Sequence, residues 1–168
     1  ESGDESAILT WADMNASGTE DFIYDNDIFD NGTTGQGAIS MVEGTGWAGE
    51  TFNIVGASTI NTAWVFNSYF NDLPTTTTFA AYGALGSLFD TAPAYEMEIT
   101  LTTAGWNEID VPGWEMNNPF ILATMMTADI AAELDVTAIP SEHSMWRGGG
   151  GWETWQGSIA GTTLPDGE

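Results

Sequence analysis

The stretch "MWRGGGGWETW", residues 145–155, holds the only Arg or Lys of the chain beside four glycines and three tryptophans. Glycines between two short apolar runs make a hairpin with a pliable tip. Two chemistries fit Trp146, Arg147, Trp152 and Trp155. As a flat platform, the indoles stack on sugar rings while Arg147, Glu153 or Gln156 hydrogen-bond hydroxyls, the mode of a non-catalytic carbohydrate-binding module. As a packed hairpin, Trp146 and the apolar side of the returning strand face the core. Arg147 then lies over a Trp ring or pairs with a carboxylate of the next subunit. Indoles are usually mostly buried, which favours packing.

A second group of donors is the turn "DNDIFDNG", where Asp25, Asp27, Asp30 and Asn31 offer hard oxygens of the kind Ca²⁺ collects six to eight at a time. The loop is not an EF-hand, because Asp30 stands where the glycine belongs and Gln36 where the bidentate Glu belongs. An Asx-rich turn that bonds its own backbone is the preferred reading. No cofactor is expected, and Ca²⁺ is the one candidate ion.

Catalysis lacks its parts. His143 is the single histidine, Ser141 and Ser144 are too close to it along an extended chain to form a triad by themselves, and there is no cysteine. No nucleophile elbow marks a serine. With 25 Asp and Glu, some carboxylate pair falls at glycosidase spacing by chance, so acidity does not argue hydrolysis. The chain is expected not to be an enzyme.

Composition explains the rest of the chemistry. The formal charge of −24 arises mainly from missing cations, since charged residues are only 15% of the 168. Eight Trp, eight Phe and four Tyr, within an apolar fraction of 42%, separate the chain from disordered acidic tails. A surface this negative repels phosphates, so nucleic acids and anionic membranes are poor partners, and neither nucleic-acid binding nor membrane insertion is expected. Close packing of such copies calls for screening or bridging cations. No run reaches the roughly 20 apolar residues of a membrane span. The start at "ESGDES", without Met, suits a mature end left by signal-peptide removal. Two sequons, at Asn15 ("NAS") and Asn31 ("NGT"), are compatible with export and are candidate glycosylation sites. The expected location is extracellular, at the cell surface.

The elements that must position these residues show period two. In "YEMEITLT", Tyr95, Met97, Ile99 and Leu101 alternate with Glu96, Glu98, Thr100 and Thr102, the pattern of a half-buried strand. "STINTAWVFNSYF" is read as alternating Ile60, Trp64, Phe66 and Phe70 against Asn61, Asn67 and other small or polar positions. "ETFNIV" and "ELDVTAI" are similar, and "NPFILATMM" is apolar on both sides, as a central strand would be. Turn clusters such as "NDLP", "TTAGWN", "VPGW" and "LPDG" separate the runs. One segment dissents: "TADIAAELD" has helix formers over about Ala128 to Leu134. The reading is one all-β domain, a single jelly-roll-like antiparallel β-sandwich.

The succession of "YEMEITLT", "LTTAGWNEIDVPGW", "NPFILATMM" and "SMWRGGGGWETW" resembles the jelly-roll-type β-sandwich accessory modules of secreted multidomain bacterial surface proteins. Those modules often open on a "YDNG"-like turn, for which "FIYDNDIFDNG" (22–32) is the counterpart. The resemblance implies a non-catalytic module and bears more on fold than on function. Two departures matter. Such modules carry one more hydrophobic strand after the position of "LPDGE", and "ESAILTWADM" adds a run in front. An incomplete sheet is satisfied by strand addition from another copy. Residues 1–18 are read as an extension whose Ala7, Ile8, Leu9 and Trp11 form a donor strand, the alternatives being a run paired within its own sheet or a chain cut from a longer protein, and 19–168 as the sandwich. The expectation is a secreted acidic structural protein that assembles with copies of itself into a fibre or surface array, with glycan binding as the alternative.

Overall fold

The computed structural model describes residues 37–40, 46–54, 56–67, 71–86, 88–127, 130–134 and 143–154. Among the described residues every regular element is a strand: β1 (Gly37–Ser40), β2 (Gly46–Phe52), β3 (Ala57–Asn67), β4 (Thr75–Leu85), β5 (Leu88–Phe89), β6 (Tyr95–Leu101), β7 (Gly105–Asn117), β8 (Phe120–Met126), β9 (Ala131–Leu134), β10 (Ser144–Arg147) and β11 (Glu153–Thr154). All pairings are antiparallel. The all-β class read from the alternation is what the chain adopts.

The largest sheet runs β11-β10-β2-β8-β4-β5, with β6 also paired to β4. β3 and β7 form a long two-stranded ribbon, and β1 pairs with β9. The apolar strand "FILATMM" takes the central place its two-sided composition requires, with β2 on one side and β4 on the other. Alternate residues of β4 consequently enter different cores. Phe79 and Ala81 join Ile99 and Leu101 of β6, Phe120 of β8, and Ala63, Val65, Ile109, Val111, Trp114 and Met116 of the ribbon. Ala80 and Tyr82 join Trp47, Ile121, Ala123 and Met145 on the opposite face, against which Phe89, Met125 and Trp152 pack.

β6 follows its alternation: Ile99 and Leu101 are buried, Met97 is half-buried, and Glu96, Glu98 and Thr100 are exposed. Tyr95, at the start of that row, is partly exposed but stacks on Trp114 at 5.6 Å and 10°.

β3 departs from the expected phase. The inward residues of its second half are Ala63, Val65 and Asn67, whereas Trp64 is 60% exposed. The reason is an irregularity in the ribbon. Ile60 pairs with Trp114, but Thr62, two residues on, pairs with Asp110, four residues back along β7. At this step Asn61 and Thr62 are both exposed, so the inward row passes from Ile60 to Ala63 and the alternation of β3 changes phase. The step falls at "VPGW", which is a bulge inside β7 and not a turn between strands. Gly113, at φ 72°, supplies the left-handed backbone that the bulge uses. Buried Asn67 has a separate reason, since its Nδ2 donates to Thr103 O at 3.1 Å.

The helix considered over about Ala128 to Leu134 is corrected as well. Ala131–Leu134 is β9, paired to β1 from Ala131↔Ser40 to Leu134↔Gly37. A seven-residue helix adds few hydrogen bonds against its nucleation cost, and strand pairing satisfies the same backbone groups. Of the other two strand candidates, "ETFNIV" contributes Glu50 to Phe52 to β2, and "ELDVTAI" contributes Glu133 and Leu134 to β9, its remaining residues lying outside the described ones. The proposed boundary between residues 18 and 19 lies outside the described residues.

Candidate functional site

The tryptophan hairpin forms as its composition requires: β10 and β11 pair through Met145↔Thr154 and Trp146↔Glu153, with the glycines between them. β10 also pairs with β2, bringing Arg147 opposite Trp47 and Met145 opposite Gly49. Arg147 therefore shares a sheet face with Trp47, Met145 and, two strands further along, Tyr82. Trp146, one residue away, sits half-buried on the other face, with its ring beside Gly148.

Three rings surround the guanidinium. Its central carbon lies 4.9 Å from the Tyr82 ring centroid, 5.3 Å from that of Trp152 and 5.6 Å from that of Trp47. The rings also meet each other edge to face, Trp47 with Tyr82 at 5.5 Å and Tyr82 with Trp152 at 4.9 Å. Arg147 donates from NH2 to the Tyr82 hydroxyl at 3.2 Å and from NH1 to the Thr91 carbonyl. Trp152 closes the box by donating its indole N–H to Asp90 O at 3.0 Å. Quadrupoles and oxygen acceptors thus converge on one cation taken largely out of water, where cation–π contacts are strongest.

The local sequence explains the closeness of the strands. A Cβ on Gly49 would stand 2.2 Å from Leu122 O and 2.6 Å from Ala123 Cβ, so only glycine fits where β2 pairs with β8. Tyr82 is fully buried, and burial pushes its phenol from 10.0 up to about 12, a rise that the Arg147 charge opposes and Glu96 reinforces. At neutral pH the phenol is an uncharged hydrogen-bond acceptor and not a base.

The remaining candidate residues divide sharply. His143 is half-buried and its carbonyl accepts from Thr51 N at 2.8 Å. Ser144, buried beside it, donates to Glu50 Oε1 at 2.6 Å. Among the described residues no group of three or more His, Cys, Asp or Glu is arranged to hold a metal. The donor-strand residues Ala7, Ile8, Leu9 and Trp11, the calcium candidates Asp25, Asp27, Asp30 and Asn31, the sequons at Asn15 and Asn31, and Trp155 lie outside the described residues.

Sequence reasoning missed Trp47 and Tyr82, which stand 100 and 65 positions from Arg147 and carry no local mark of their partnership. It also missed a second aromatic group, on the outer face of the ribbon. There Trp64 pairs across the strands with Glu108, Phe66 with Trp106, and Thr62 with Asp110. Trp64 and Trp106 are 60% and 43% exposed, and Phe66 meets Trp106 edge to face at 5.2 Å. The ribbon keeps its shape near these rings through Asn107, on the inward side. Its Oδ1 accepts from Thr102 N, Thr103 N and Thr103 Oγ1, and its Nδ2 donates to Thr103 O and Gly105 O.

Searches against protein-family models, curated proteins and solved structures find no match for this chain. No described helix is long and apolar enough to cross a membrane. The functional reading therefore rests on geometry.

Proposed function

We propose that this chain is a structural subunit of an extracellular fibre or surface array, a jelly-roll-like sandwich that assembles with copies of itself by β-strand exchange. The observation that carries the structural reading is the Arg147 box. The one Arg or Lys of the chain is held by Trp47 and Tyr82 of its own sheet and by Trp152 just before β11, and the Trp152 N–H bonds to Asp90 O. Two groups that a glycan platform would turn outward, the Arg147 guanidinium and the Trp152 N–H, are engaged inside the chain. This favours an architectural hairpin over a carbohydrate-binding one.

Two further features support the assembly. The ribbon and the large sheet share one apolar cluster, as the two layers of a sandwich do. β6 pairs only with β4 among the described residues, so its outer edge offers seven residues of backbone for strand addition. Under this reading residues 1–11 are the donor, with Ile8 and Leu9 entering a neighbour's groove. Deleting them should give subunits that stay monomeric in sedimentation and bind a synthetic peptide of residues 1–11. Filaments in electron micrographs of the deletion variant would refute strand exchange by this segment.

A further inference from the structure

We infer that the outer face of the β3–β7 ribbon is a docking surface for an extended basic polypeptide segment of another protein. Trp64, Phe66 and Trp106 form an aromatic group there, and its two indoles are exposed, Trp64 the more so. Soluble proteins place single apolar residues on their surface freely, but grouped exposed rings mark interaction sites. Continuing along β7 from Trp106, the outward positions are Glu108 and Asp110, both exposed and directly opposite Trp64 and Thr62.

Charge complementarity selects the occupant. The face pairs rings with carboxylates, the two partners that an ammonium or guanidinium recognises, and it carries no cation. Anionic ligands are repelled by the chain's charge of −24. A second copy cannot supply the cation, because Arg147, its one Arg or Lys, is enclosed in the aromatic box. That box also shows, within this molecule, a guanidinium held by indole and phenol rings.

Spacing refines the choice. Residues 106, 108 and 110 follow one another at about 6.8 Å along the strand, the same interval at which an extended peptide projects alternate side chains to one side. A segment with Lys or Arg at every second position thus matches ring, carboxylate and carboxylate in step. This surface is separate from the β6 edge, so the inference stands independently of the assembly proposed above.

The test is calorimetric titration of the full chain with two ten-residue probes of equal composition, one alternating Lys with Thr and one with all Lys in a block. The alternating probe should bind at least fivefold more tightly. Its affinity should fall about tenfold in Trp64→Ala and in the double variant Glu108→Gln/Asp110→Asn, with circular dichroism unchanged. Equal affinity for both probes, or no loss in these exposed-residue variants, would mean diffuse attraction to an acidic protein and would overturn the inference. So would binding of a neutral cello- or chito-oligosaccharide that is lost in Trp64→Ala but kept in the carboxylate variant, which makes the face a glycan platform. Concentration-dependent dimerisation abolished by Trp64→Ala would likewise overturn it in favour of a contact between copies.

Discussion

The Arg147 box and the outer face of the ribbon are built from similar parts, two indoles and a smaller ring apiece, yet they differ in every other respect. In the box, Trp47 and Tyr82 lie on a sheet face that also buries Ala80, Ile121 and Ala123, and the cation comes from the chain itself. On the ribbon, Trp64 and Trp106 have solvent on one side and carboxylates for neighbours. Aromatic content alone therefore says nothing about role. The number of layers stacked on a strand decides it, since β4 and β8 are covered on both faces whereas the second half of β3 buries only Ala63, Val65 and Asn67.

The largest expected effect tests the inward cluster. Arg147→Ala removes three cation–π contacts and two charge-assisted hydrogen bonds and leaves a gap among the rings, so it should cost about 2 to 4 kcal/mol in urea unfolding. Arg147→Lys keeps the charge but loses the planar fork, and should recover less than half of that. A loss under about 0.5 kcal/mol in the Ala variant would show that the box is peripheral and erase the contrast between the two clusters.

The titration of Tyr82 gives a second way to test the box. Its folded pKa is raised by burial to about 12, above the ordinary 10.0. The native state therefore holds this proton more tightly than the unfolded chain does. The resulting stability is fully present below pH 10 and is lost as the pH rises from 10 through 12, by at most about 1.4 kcal/mol per pH unit. Denaturant titrations at pH 9, 10, 11 and 12 should show a steeper alkaline loss in the wild type than in Tyr82→Phe. Parallel profiles would mean that the phenol is not buried in solution.

The strands that could be read from sequence were those whose burial depends only on their own alternation. β6 and the two-sided β8 are examples, as is the hairpin with its glycine tip. What escaped depends on pairing between distant segments. The phase of β3 is set by a bulge in its partner β7 at Pro112 and Gly113, some fifty positions away, so no feature within "STINTAWVFNSYF" reports it. The same holds for the box. Trp146, Arg147 and Trp152 are close in sequence, but the strand order β10-β2-β8-β4 is what brings Trp47 and Tyr82 to them. The alternation that grouped Trp64 with Ile60 and Phe66 put Trp64 on the wrong side.

Neighbouring residues on β7 sharpen the contrast at a single place. Asn107 points inward and satisfies both ends of its amide within the 102–105 turn, and Trp106 points out. Asn107→Ala should cost about 1 to 3 kcal/mol, because the turn's N–H and C=O groups lose partners in a partly buried setting. Trp106→Ala should cost less, about 0.5 to 1.5 kcal/mol, mainly its edge-to-face contact with Phe66. Reversal of that order, read from unfolding midpoints, would place the turn's stability in the exposed rings.

The smallest effect carries the most information about the outer face. Trp64 is 60% exposed and stands opposite Glu108 on a two-stranded ribbon, so Trp64→Ala in the isolated chain should change stability by no more than about 0.5 kcal/mol. Its indole emission should be that of a solvated ring, and dilution should leave the unfolding midpoint unchanged. A loss above about 2 kcal/mol would mean that the ring is covered in solution. Concentration then distinguishes the cause: a loss that fades on dilution of the wild type identifies a second copy as the cover, because only a bimolecular contact follows mass action. A loss independent of concentration identifies another part of the same chain. Either result would move Trp64 into the same class as Trp47 and Trp152, and the ribbon would no longer present an open aromatic face.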